Sequence, residues 1–267
     1  MSTLASADGS TIAYEIDGTG PAVILVDGAM CFRDAGPMRP IAAALRDRLT
    51  VVLYDRRGRG DSEDRLADPT ARADAVAREI EDIAALVDAA GGSATLFGMS
   101  SGGALALAAT AALGPDRIPR TAVYEPPYLP DPMLSSATAY TSELGAALAA
   151  DDRASAVELF LRRVGVPDAG IEGMRRSPGW ESTLALAPTL AYDDAAMGDS
   201  RIPDDLLQAI SVPVLGLAGE QSPGFLRFGA EGVAAAAQDG EFAIVAGQTH
   251  DVSGEAVAPH LIHFVAG

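Results

Sequence analysis

A single cysteine, Cys31, stands in 267 residues. One thiol cannot close an intrachain disulfide or build a thiolate cluster for zinc. Basic residues are scarce as well, 19 against 37 acidic ones, for a formal net charge of −18. Such a surface repels phosphate backbones and anionic headgroups, so neither nucleic acid nor a membrane is an expected partner. No apolar run approaches the roughly 18 residues of a membrane span; "ALALAATAAL" at 104–113 is too short and too rich in alanine. The opening "MSTLASADGSTIAYE" lacks a basic start followed by an apolar core. No signal peptide is expected, and a cytoplasmic location is. The dinucleotide fingerprint, the phosphate-loop pattern and the H-E-x-x-H zinc motif are missing too, so no cofactor and no metal are expected.

What the chain does have is 48% hydrophobic residues, enough for one large α/β domain with an inserted subdomain. Short apolar runs at 22–26 ("AVILV"), 49–55, 93–99, 121–125, 212–219 and 241–247 read as strands, with 11–17 as an earlier one. All-apolar, β-branched runs suit strands buried on both faces. Between them, Val76, Ile80, Ile83 and Val87 mark one helix face in 71–90. Residues 38–48, 101–113, 223–238 and 254–265 also read as helices. The alternation predicts a mostly parallel sheet covered on both sides. About 85 residues after "TAVYE" break the rhythm, with helical patches and no strong strand. A crossover needs far fewer. The expected organisation is a core of 1–126 and 206–267, interrupted by a helical cap at 127–205.

"FGMSSGG" at 97–103 carries the chemistry. Gly98-Met99-Ser100-Ser101-Gly102 is the G-x-S-x-G pattern, directly after an apolar strand and before a helix. The turn is tight, and its glycines avoid clashes with the neighbouring chain. It raises Ser100 to the N-terminus of the next helix, where main-chain N–H groups favour a developing oxyanion. The other register, with Ser101 as nucleophile, needs glycine at 99, and Met99 stands there. The plain alternative is a glycine-rich turn with a capping serine.

These residues make the chain resemble the α/β-hydrolase superfamily over nearly its whole length. "VILVDGAM" resembles the oxyanion loop, "LYDRRGRGDS" the loop after the fourth strand, "FGMSSGG" the nucleophile elbow, and "VPVLGLAGEQSP" and "AGQTHDV" the places of acid and histidine. More narrowly, "VDGAM", "YEPP", "GEQSP" and "GQTHDV" together resemble a group of compact bacterial hydrolases of this fold, which brings no substrate with it.

The resemblance assigns the base to His250; His260 and His263 lie on the expected last helix and read as packing or surface residues. The acid is the difficulty. Ser222 holds the place in "GEQSP" where a carboxylate is usual. Glu125, ending "TAVYE" before Pro126 and Pro127, matches the site at the end of the sixth strand used by some members, among them certain haloalkane dehalogenases. Glu125 is therefore the expected acid, with Glu220 and Asp251 as alternatives and no acid at all as a fourth. The expected oxyanion donors are the main-chain N–H groups of Ser101 and Ala29. Asp27, where many relatives have histidine, should face away and bond the loop backbone. Cys31 reads as a small buried residue and "DRRGRGDS" as a structural loop. Met30, Trp180 and Met197 are the expected pocket residues, and an apolar roof favours uncharged acyl or aromatic small molecules.

The reaction expected is hydrolysis of a small ester or related acyl compound through an acyl-enzyme. Two other readings remain open: another cofactor-free reaction on the same site (perhydrolase, lyase or carbon–carbon hydrolase), and a small-molecule-binding protein on a retired hydrolase fold. An aspartate nucleophile is required for the epoxide hydrolase and dehalogenase branches, and Ser100 counts against both.

Overall fold

A computed structural model describes residues 1–65 and 72–267. Eight strands form one sheet: β1 (Ser2–Ala5), β2 (Thr11–Gly18), β3 (Ala22–Val26), β4 (Thr50–Tyr54), β5 (Thr95–Met99), β6 (Thr121–Tyr124), β7 (Val214–Gly219) and β8 (Gly240–Val245). Their order across the sheet is β1-β2-β4-β3-β5-β6-β7-β8. The first two pairings, β1 with β2 and β2 with β4, are antiparallel; all others are parallel. This is the α/β-hydrolase fold, a mostly parallel sheet with flanking helices and a helical insert.

The apolar runs become strands because both of their faces are covered. Along β3, Val23 and Leu25 enter one core, with α1 (Met38–Leu45) and α11 (Gly254–Ala266). Ile24 and Val26 enter the other, with α2 (Arg72–Ala89) and α3 (Ser101–Leu113). The period of two splits one run between two helical layers. Ile83 and Val87 turn the predicted face of α2 into the second core; residue 71, the first of the predicted helix, lies outside the described residues. β1 was not expected. Three of its four residues are exposed and only Leu4 touches a core, so no alternating burial pattern marks them.

The parallel strands place all their C-terminal ends on one side, and four of the loops there build the site. Between β6 and β7 lie α4 (Leu134–Ala149), α5 (Arg153–Arg163), α6 (Asp168–Arg175), α7 (Trp180–Ala185), α8 (Leu190–Met197) and α9 (Asp204–Ala209). The first five share an apolar cluster that includes Leu144, Val157, Ile171, Leu184 and Leu190. α8 also rests on α2 and α3, and α9 on α3 and α10 (Gly224–Ala236). Among the described residues no helix is long and apolar enough to cross a membrane.

Candidate active site

Ser100 sits between β5 and α3 with φ 56° and ψ −130°. A non-glycine residue with positive φ is uncommon and strained. The main chain on either side holds it there: Ser100 N–H donates to the Tyr124 carbonyl (2.9 Å), and the Ser100 carbonyl accepts from Gly103 N–H (2.9 Å). The two glycines of the motif are required by close approach. A Cβ on Gly98 would stand 2.3 Å from the Gly102 carbonyl oxygen, and one on Gly102 the same distance from that of Val26. The elbow is thereby pressed against the end of β3.

Glu125 is the residue after β6, and it too has positive φ, 48°. Its side chain is wholly buried. A buried carboxylate needs every partner it can find, and this one has two. Oε1 accepts from Gly219 N–H at 2.7 Å, at the end of β7. Oε2 lies 2.7 Å from His250 Nδ1. Glu125 therefore reaches across the tip of the intervening strand to the loop after β8. The His250 side chain is 39% exposed.

Tyr124 helps to hold that loop. Its hydroxyl donates to the Thr249 carbonyl at 2.6 Å, and its ring centroid lies 6.4 Å from that of His250. Burial, then the neighbouring Glu125 charge, raises the phenol above its ordinary pKa, which keeps it a neutral donor. Ser222 lies beside the Tyr124 hydroxyl, yet its buried Oγ finds no partner in hydrogen-bond geometry. Glu220 accepts from Gly247 N–H at 2.8 Å, bonding the loop backbone. Asp251 engages the loop through its own N–H, which donates to Thr249 Oγ1 at 3.3 Å.

The loop after β3 approaches from the other side. A Cβ on Gly28 would stand 3.8 Å from Ser100 Oγ, which sets the Gly28–Ala29 peptide beside the Ser100 hydroxyl. Met30 follows with φ 62°. Among the described residues, three of the five non-glycine residues with positive φ, Met30, Ser100 and Glu125, lie in the loops after the C-terminal ends of β3, β5 and β6. Strain held this way is a mark of a functional site. Ala29, Met30 and Trp180 pack on the same apolar cluster of the insert. Met197 goes elsewhere: it is buried with Ala104, Leu107, Tyr128 and Leu207, against α3 and α9. The structure does not bring it to Met30 and Trp180, because α8 turns its last residue toward the core.

Asp27 accepts from Gly28 N–H through Oδ1 at 3.0 Å. Burial pushes its carboxyl up to about 7, against the pull of that N–H and of the Arg59 and Arg56 guanidiniums. An unfolded aspartate titrates near 3.9. A folded value above the unfolded one means that the native state holds the proton longer. The resulting stability is full below about pH 4 and is lost as the pH rises to about 7. Asp27→Asn cannot titrate. Relative to the wild type it should gain on the order of 4 kcal/mol between pH 4 and pH 8, read from denaturant melts across that range. Parallel curves would refute it. Burial, then the Asp27 charge, pushes the Cys31 thiol up to about 12, so it is no nucleophile at neutral pH.

Sequence reasoning missed the ions behind this loop. Arg56 and Arg59, both wholly buried, meet Asp193 of α8. Arg56 also forks onto Glu79, through Nε at 2.8 Å and Nη2 at 2.7 Å. Burial alone would raise the Asp193 carboxyl, but the two guanidiniums and the Ser101 hydroxyl hold it below the usual range. Arg57 makes a separate cluster with Asp82, Asp8 and Asp64. Asp193 lies more than 130 residues from either arginine, so no local pattern announces the pairing. The only signal was three arginines in one loop of an acidic chain. Among the described residues no group of three or more His, Cys, Asp or Glu side chains is placed to hold a metal ion.

Residues 20–260 match the model of the Alpha/beta hydrolase family. The chain is similar to an alpha/beta hydrolase from Sphaerobacter thermophilus DSM 20745 at 43% identity and a TM-score of 0.83, covering 98% of this chain and 99% of that one. A hydrolase from Pseudomonas aeruginosa PA01 matches at 26% identity and a TM-score of 0.74, over 100% and 98%. An esterase from Thermogutta terrifontis shares the fold at 22% identity and a TM-score of 0.66, over 99% and 96%.

Proposed function

This chain belongs to the alpha/beta hydrolase family, and on that premise we propose that it is a serine hydrolase acting on a small ester or related acyl compound. The observation that carries this reading is the buried Glu125 carboxylate 2.7 Å from His250 Nδ1, on a loop that shares the sheet edge with the Ser100 elbow. The carboxylate accepts the Nδ1 proton, which leaves Nε2 as the basic nitrogen. Nε2 takes the Ser100 proton as Oγ attacks the acyl carbon. The oxyanion is received by the N–H groups of Ala29 and Ser101. The tetrahedral intermediate collapses, and the leaving alcohol departs with the proton returned by His250. Water repeats the sequence on the acyl-Ser100 ester and frees the acid.

Residues 127–205 act in this reading as a cap, with Met30 and Trp180 on the apolar wall between the oxyanion loop and the insert. That wall supports uncharged acyl groups of modest size.

A fluorophosphonate probe tests the reading. It should label the wild-type protein on Ser100, located by mass spectrometry, and label a folded His250→Ala variant at least about a hundredfold more slowly, since a general base contributes roughly 10²–10⁴. Label on another residue, or equal rates in the two proteins, would rule it out.

A further inference from the structure

We propose that Asp193 is a positioning residue for the oxyanion hole, through which one carboxylate of the insert sets both main-chain donors. The proposal rests on the reading of Ser100 as nucleophile.

One donor is held directly. Ser101 Oγ donates to Asp193 Oδ1 at 2.8 Å, and Ser101 carries one of the two N–H groups. The other is held through arginine. Arg59 Nη2 donates to Asp193 Oδ2 at 2.7 Å, while Nη1 of the same guanidinium donates to the Gly28 carbonyl at 2.6 Å. That carbonyl and the Ala29 N–H belong to one planar trans peptide. Fixing the oxygen fixes the direction of the N–H on the opposite side. A cation on the oxygen also polarises the peptide and makes its N–H a stronger donor. Arg56 repeats the device one peptide earlier: Nη1 donates both to Asp193 Oδ1 (2.7 Å) and to the Asp27 carbonyl (3.0 Å).

All four side chains are buried. Ion pairing alone would account for Arg56, which already has Glu79. It does not account for each arginine spending a donor on a carbonyl of the same loop. The guanidinium fork suits this task, since two parallel N–H groups can bridge a carboxylate and a carbonyl in one plane. α8, which carries Asp193, belongs to the insert, so the insert enters the rate of the chemistry as well as the shape of the pocket.

The test compares Asp193→Asn, Ser101→Ala and Arg59→Lys with Asp82→Asn, which breaks the separate Arg57 cluster. The probes are p-nitrophenyl acetate and a trifluoromethyl ketone that mimics the tetrahedral intermediate. Removing an oxyanion donor costs roughly 10²–10³ in kcat. Misplacing one should cost about tenfold or more in the first three variants. KM should stay within about twofold, because the hole acts in the transition state and not in the ground state. The ketone should bind more weakly by the same factor as kcat falls. Asp82→Asn should lower Tm and leave kcat unchanged. If Asp193→Asn does not fold, Ser101→Ala, which removes one oxygen, decides. Folded variants that keep wild-type kcat and ketone affinity would overturn the proposal, as would losses of kcat that track Tm in all four. A wild type that neither turns over ester nor labels at Ser100 removes the serine-hydrolase reading first, before any variant is compared.

Discussion

Ser100→Ala is expected to hydrolyse an activated ester roughly a million-fold more slowly than the wild type, while folding and binding the ester as before. The size of the effect follows from the division of labour. Without Oγ no acyl-enzyme forms, and the surviving N–H groups and apolar wall act only on the slow attack of water. Folding should survive because alanine keeps the one side-chain atom that packs at this turn. The same positive φ (56° in the wild type) must still be borne, and the elbow hydrogen bonds are all main chain. Tm should therefore stay within a few degrees. Substrate binding, measured on the inactive variant as Kd, should match the wild-type value. Turnover above about one per cent of wild type would move the nucleophile to another residue. Loss of binding as well would mean that the alanine had disturbed the loop after β3, whose Gly28 packs against the Ser100 Cβ.

Most of the fold was legible because its strands are buried twice over. "AVILV" has no polar residue to spare for solvent, and it lies between two helical layers. α3 follows the motif directly, from Ser101, because Gly98 and Gly102 let the turn press against main chain that a Cβ would strike. β1 was not legible, since an exposed edge strand carries no burial pattern. At the site, the readable residues are those whose place follows from a strand end. Ser100, Glu125 and the Ala29 loop each come directly after an apolar run, and position along the chain implies position on the sheet edge. The contacts of Asp193 and Met197 depend instead on how α8 lies on α3. Helix rotation is set by packing that no short window of sequence contains. Arg56 and Arg59 read as loop residues for the same reason: their partner arrives from a distant helix.

Glu125→Gln should lower kcat by about four orders of magnitude, the cost of removing the orienting acid in serine proteases. The substitution preserves shape and removes one acceptor. Two donors converge on the Glu125 carboxylate, Gly219 N–H on Oε1 and, with the proton on Nδ1, His250 on Oε2. Glutamine offers one oxygen and one amide. Gly219 N–H is main chain and cannot turn away, so the oxygen goes there and the amide faces His250. Nδ1 must then accept, the ring proton moves to Nε2, and the nitrogen that should take the Ser100 proton is already occupied. The variant should fold with a Tm near that of the wild type, because shape and the Gly219 bond survive. If Glu220 or Asp251 orients the ring, Glu125→Gln loses less than about tenfold, and Glu125 is only a strand-end anchor. Ser222 supplies the complementary experiment. Its Oγ is buried without a hydrogen bond beside Tyr124, whose hydroxyl grips the Thr249 carbonyl next to His250. Its loop is also tied to the histidine loop by the Gln221 N–H to Gln248 carbonyl bond at 2.8 Å. Adding Ser222→Asp to Glu125→Gln should restore at least about tenfold of the lost kcat, since a carboxylate from the loop after β7 returns the ring proton to Nδ1. The recovery should be absent when Ser222→Asn replaces Ser222→Asp, because the asparagine amide carries no charge to stabilise the imidazolium that forms during attack. Equal recovery by aspartate and asparagine would place the effect in packing, and the reading of Glu125 as the orienting acid would lose its electrostatic support.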